Sequence, residues 1–116
     1  MLVLLDNNVP RGLARALSGH TVIEARERGW ATLKNGDLIG SAERAGFHVL
    51  VTADKNIRYQ QNLETRQIAI VVLTQLRWQL VCRKLPEIAA AVEQSQRGSF
   101  AEVEIQYDGP RPRRVS

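Results

Sequence analysis

Hydrophobic positions fall into short runs separated by polar, glycine-bearing segments. Leu2–Leu5 (LVLL), residues 20–25 (HTVIEA), 48–51 (HVLV) and 67–73 (QIAIVVL) read as strands. Continuous apolar runs bounded by polar residues mark strands buried on both faces, the usual state of a parallel sheet. Between the first two runs, Asn8 is placed to cap a helix over 9–17, with Pro10 tolerated in its first turn. Leu13, Ala16 and Leu17 share its apolar face, and Gly19 ends it. Residues 26–36 look irregular and hold Trp30. Asp37 is placed to cap a helix over 38–44 that Gly46 stops. After the third run comes a polar turn, Thr52-Ala53-Asp54-Lys55-Asn56, then a short helix to about Leu63. Residues 77–96 have Val81, Leu85, Ile88 and Val92 about one turn apart, and Pro86 demands a kink or a restart. Over 99–107, Phe100, Val103, Ile105 and Tyr107 alternate with Glu102, Glu104 and Gln106. A slip between Phe100 and Val103 reads as a bulge in a half-exposed edge strand.

Strands alternating with helices are the grammar of a three-layer, doubly wound α/β domain. The expectation is a mainly parallel sheet of about four strands plus a C-terminal edge strand. The domain would cover residues 1–108. Residues 109–116 (GPRPRRVS) would form a mobile Pro/Arg-rich tail. In such a sheet, ligands bind outside the carboxyl ends of the strands.

That edge is where the acids collect. The chain has four aspartates: Asp6, Asp37, Asp54 and Asp108. Asp6 follows the first strand, Asp54 follows the third by a short turn, and Asp37 opens the helix leading into the third. Taken singly, Asp37 is a helix cap and Asp54 a turn residue, whereas Asp6 has no structural task. Their coincidence at one edge is the signal. Crowded carboxylates repel unless a cation intervenes. Mg²⁺ or Mn²⁺, with its preference for hard oxygen ligands, serves that role. Such an ion orients a phosphodiester, polarises it and lowers the pKa of an attacking water. Asn8 and Asn56 are candidates to add amide oxygens or to orient that water.

Charge supports a polyanionic partner. Thirteen arginines and three lysines against 12 acids give a net charge of +4 and a pI near 9.8. Arginine binds phosphate bidentately, so RNA is the expected ligand. Aromatics are few, and Trp30 and Trp78 read as packing residues. His20 and His48 share no metal-ligand spacing. Cys82 is the single cysteine and reads as a small core residue. One thiol forms no internal disulfide, which suits a reducing, cytoplasmic location. The first apolar run is too short for a signal peptide or a membrane span. The sequence has no Walker, GxGxxG, GxSxG or CxxC pattern, which argues against nucleotide triphosphate, dinucleotide and acyl-transfer chemistry.

The strings LVLLDNNVP (2–10), NGDL (35–38), VTADKNIRYQQ (51–61) and GSFAEVE (98–104) resemble a bacterial PIN-like domain family. That family is distantly similar to the toxin ribonucleases of toxin–antitoxin pairs. The resemblance runs over nearly the whole chain and is most specific around Asp54. It implies a metal pocket made by Asp6, Asp37 and Asp54; Lys55 and Arg58, beside the last of these in sequence, are candidates to hold RNA phosphates. It also implies a metal-dependent endoribonuclease of the kind that serves as a toxin held by an antitoxin protein. The wider family often has acids where this chain has Asn7 and Asn56. Those departures favour a second reading, a catalytically impaired module that binds RNA or a protein. A third reading is a phosphoacceptor receiver domain, suggested by Asp54 and by Thr74 after the fourth strand. The edge strand is a candidate surface for a homodimer or an antitoxin.

Overall fold

The computed structural model describes residues 1–33, 35–54, 57 and 66–105. Five strands form one parallel sheet: β1 (Leu2–Leu5), β2 (Thr21–Glu24), β3 (Val49–Thr52), β4 (Ala69–Leu73) and β5 (Phe100–Val103). Their spatial order is β2-β1-β3-β4-β5, and every pairing is parallel. The helices are α1 (Leu13–Ala16), α2 (Asn35–Arg44), α3 (Trp78–Val81) and α4 (Leu85–Glu93).

Alternation along the strands builds the three layers. Val3, Leu5, Val49, Val51, Val71 and Leu73 face one side, where Leu13 and Leu17 from the α1 region and Leu80, Val81, Ile88 and Val92 from α3 and α4 cover them. Leu4, Leu50, Ile70 and Val72 face the other side, under Leu38, Ile39 and Ala42 of α2 and Phe47. Successive strand side chains point to opposite faces, so a strand covered on both sides must be apolar throughout. This explains the unbroken runs in β1, β3 and β4.

Several boundaries differ from the sequence expectation. The α-helix before β2 is a single turn with Gly12, not Asn8, at its N-cap. The chain winds from Pro10 through i→i+3 bonds, Leu13 to Pro10 and Ala14 to Arg11, into the α-type turn that the Leu17 amide closes on the Leu13 carbonyl. The stretch after β2 is not irregular throughout. Residues Ala25–Arg28 form a 3-10 turn, closed by a capping box between Glu24 and Glu27. Helix α2 begins at Asn35, so Asp37 lies inside its first turn rather than capping it. Its end is as expected: Gly46 has φ +88°, and the Phe47 and Gly46 amides return to the Ala42 and Glu43 carbonyls. Pro86 produces a restart. α3 passes into a 3-10 turn, Cys82–Lys84, before α4 begins. That turn rotates Cys82 outward, so it is exposed and not a core residue.

β5 is an edge strand, as expected, but it carries no bulge. Its register against β4 is continuous from Ile70↔Phe100 to Leu73↔Val103. The slip in the pattern arises because Phe100 packs on the α2 side while Val103 and Ile105 pack on the other. Residues 106–116, including the Pro/Arg segment, and the expected helix before Leu63 fall outside the described residues, apart from buried Ile57. Among the described residues no helix is long and apolar enough to cross a membrane.

Candidate functional site

The chain adds β2 on one side of β1 and β3 on the other, which leaves a crevice between the carboxyl ends of β1 and β3. This is the switch point at which sheets of this strand order bind ligands. Asp6 continues the β1–β3 ladder, its amide donating to the Val51 carbonyl at 2.9 Å. Its own carbonyl accepts from the Val9 amide at 3.0 Å, which turns the chain away and leaves the carboxylate at the strand end.

That carboxylate is held on both oxygens. The Thr52 hydroxyl donates to Oδ2 at 2.6 Å, and the Asn7 amide donates to Oδ1 at 2.7 Å. Thr52 is 1% exposed at the end of an otherwise apolar strand. Its oxygen also accepts from the Asp54 amide at 3.2 Å. One buried hydroxyl therefore fixes the Asp6 side chain and the Asp54 backbone to each other. The Ile57 amide donates to the Asp54 carbonyl at 3.3 Å, and its side chain is buried with those of α2.

Asn7 serves the scaffold. Its side-chain NH₂ donates to the carbonyls of Trp30 at 3.3 Å and Ala31 at 3.1 Å, tying the β1 loop to the loop after β2. A carboxylate has no donors and would face those carbonyls with its charge. The amide oxygen of Asn7 is buried with no hydrogen-bond partner. The Asn7 carbonyl accepts from Arg26 Nη2 at 3.0 Å. Arg26 is steadied by Glu24 at 3.3 Å, and Glu24 also binds Arg11 at 3.1 Å. Two arginines thus share one carboxylate on the rim.

Asp6, Asn7, Asn8, Ala31, Leu33, Ala53 and Asp54 line a cleft of about 420 Å³. Its donors are oxygens: two carboxylates and side-chain amides. Asp6 and Asp54, two of the three expected acids, therefore share one cleft, with Asn8 in its wall. Asp37 is exposed on the first turn of α2 and is not part of the lining. Among the described residues no three His, Cys, Asp or Glu side chains cluster as a ready metal cage. Asn56, Lys55 and Arg58 lie outside the described residues.

Sequence reasoning missed the Arg11–Glu24–Arg26 cluster and the joining role of Thr52. A lone threonine closing an apolar strand was the available signal for the latter. Thr74, the residue behind the receiver reading, is turned elsewhere. Its hydroxyl accepts from the Ile105 amide at 2.8 Å and does not line the cleft.

The all-parallel α/β sheet places two aspartates at its switch point. The family model described as PIN like domain matches residues 1–77, and the chain belongs to that family. No curated protein and no solved structure matches the chain.

Proposed function

We propose that this protein is a metal-dependent endoribonuclease that hydrolyses RNA phosphodiester bonds at Mg²⁺ or Mn²⁺ held by Asp6 and Asp54. The observation that carries the reading is the pairing of these two acids across one cleft through the Thr52 hydroxyl. The donor set suits a hard cation, which prefers carboxylate and amide oxygens and keeps several waters. Each Asp6 oxygen accepts one protein hydrogen bond and retains capacity for another partner. The buried, unpartnered Asn7 oxygen is a neutral donor in the same cleft. Asp37, exposed and outside the lining, is not placed as a ligand in this reading. When bound, the ion polarises the phosphoryl group and lowers the pKa of an attacking water. The chain's own part is to fix the two acids before the ion arrives and to present the substrate phosphate.

The test is Mn²⁺ and Mg²⁺ calorimetry with RNA cleavage on wild type, Asp6→Asn, Asp54→Asn and Asp37→Asn. Loss of metal binding and cleavage in the first two variants, with a smaller loss in Asp37→Asn, supports the reading. Wild-type protein that binds neither ion and leaves RNA intact sinks it. A toxin role extends the same activity: expression would arrest growth, and Asp54→Asn would relieve the arrest. Asn7 supports a second reading, because a position often acidic in the wider family is spent here on loop carbonyls. In that case the chain binds RNA without cleaving it, and the same assay separates the two.

A further inference from the structure

Beside the acidic cleft runs a second, basic groove of about 280 Å³, lined by Arg28, Trp30, Ser41, Arg44 and Ala45. Trp30 belongs to both regions. Its carbonyl accepts from Asn7 in the cleft, while its indole forms the groove wall. The indole meets Phe47 edge-on, with ring centroids 6.0 Å apart and planes at 66°. The Arg28 guanidinium lies over the indole at 4.9 Å and over the Phe47 ring at 5.9 Å. Arg28 and Arg44 are both exposed, and Arg44 Nη2 donates to the Ser41 hydroxyl at 3.4 Å. Neither arginine is paired with a carboxylate among the described residues.

Arg11, Arg26 and Arg66 are all bound to glutamates, so their charge is largely spent within the fold. Arg28 and Arg44 retain theirs, and they flank one concave surface. A guanidinium held flat on an aromatic ring keeps its N–H edge free and offers its outer face as a stacking plane. Unpaired RNA bases stack on such planes, while arginine forks grip the neighbouring phosphates.

We infer that this groove is a subsite for single-stranded RNA, with a base laid on the Arg28 plane and backbone phosphates on Arg28 and Arg44. The inference rests on the proposed function for naming RNA, and it deepens that reading by giving the strand a track beside the cleft. Trp30 is then a positioning residue that seats the Arg28 guanidinium over its ring and couples the groove to the Asn7 loop.

The test is fluorescence anisotropy of a labelled single-stranded oligoribonucleotide with the full chain in EDTA, which removes any contribution from metal. Arg28→Gln and Arg44→Gln are compared with Arg97→Gln, an exposed arginine on the turn after α4. Thermal melting checks folding; Arg44→Gln leaves the aromatic stack untouched should Arg28→Gln loosen it. Each groove variant should bind about threefold to tenfold more weakly, with the log–log salt slope reduced by about 0.7 per lost phosphate contact. Arg97→Gln should bind as wild type does. Unchanged binding in both groove variants, an equal loss in Arg97→Gln, or equal displacement of RNA by polyglutamate would each overturn the inference. Cleavage with Mn²⁺ on the same samples separates it from the proposed function. Groove-dependent binding without cleavage keeps the groove and discards the nuclease, whereas cleavage with groove-independent binding does the reverse.

Discussion

Replacing Thr52 by valine removes one oxygen and almost no volume, and it keeps a β-branched side chain in β3. Two hydrogen bonds disappear: the 2.6 Å bond to the Asp6 carboxylate and the 3.2 Å bond from the Asp54 amide. A hydrogen bond to a charged group contributes about 1.5–3 kcal/mol, and an orphaned buried amide costs about 1–3 kcal/mol. The sum overstates the loss, because Asp6 keeps the Asn7 amide and both acids border an open cleft where water can replace the hydroxyl. A cost of about 2 kcal/mol is therefore expected. In urea this lowers the midpoint by about 1 M with an unchanged slope, given slopes of roughly 1–3 kcal/mol per M. The Asp6 carboxylate and the Asp54 backbone also lose their shared tether. Mn²⁺ affinity by calorimetry should fall about 10–100-fold, the usual effect of removing a group that orients a ligand. Thr52→Ser should restore most of both quantities. A valine variant that melts and binds Mn²⁺ like wild type would refute the claim that this hydroxyl organises the site.

Other perturbations address the surroundings. Asn7→Asp removes the donors to the Trp30 and Ala31 carbonyls and should cost about 2 kcal/mol in EDTA, with Mn²⁺ recovering part of the melting temperature; unchanged melting would dismiss the scaffold role of Asn7. Burial alone would raise the Glu43 pKa, but amides from Gln67 and Ile68 and the Arg66 guanidinium outweigh it, so the carboxyl lies below its ordinary 4.5. Its contribution is thus full above pH 4.5 and fades as pH falls through the lowered value. Glu43→Gln should flatten that acid limb in urea titrations at stepped pH, and an unaltered limb would contradict this. Gly46→Ala meets nothing within 4 Å but forces an alanine to φ +88°. It should cost about 1–2 kcal/mol by thermal melting, with Gly46→Asn milder.

The layers of the fold were legible because β1 and β4 are apolar at every position and β3 at all but its last, Thr52, and only a sheet covered on both faces requires that. The acids at the carboxyl edge were legible for the same reason: Asp6 and Asp54 mark where apolar strands stop. Strand order was not legible, since parallel strands pair across long stretches of chain that carry no local turn signal. The length of α1 was misjudged because Asn8 and Pro10 form a plausible start, whereas tertiary packing of Leu13 and Leu17 fixes where the single helical turn sits. Asp37 resembled a cap, but α2 begins earlier and leaves it exposed, outside the cleft lining. Cys82 followed a helical pattern that the Pro86 restart interrupts. The part played by Thr52 depends on a contact between residues 6 and 52, and no spacing rule reaches that far.

The parallel ladder also governs when the cleft comes into being. Leu2 pairs with Thr21, Val3 with Val49, Val49 with Ala69 and Ile70 with Phe100, so no strand pair closes through a hairpin. Each pairing must pay loop-closure entropy before it gains packing, which makes folding slow and concerted. β1 cannot find its central neighbour until β3 has been synthesised, and β3 stays half-bare until β4 follows. Asp6 and Asp54 are thus strangers on the nascent chain and meet only once the middle of the sheet has formed. Any chemistry that needs both acids is withheld from translation products that stop short of β3 and β4.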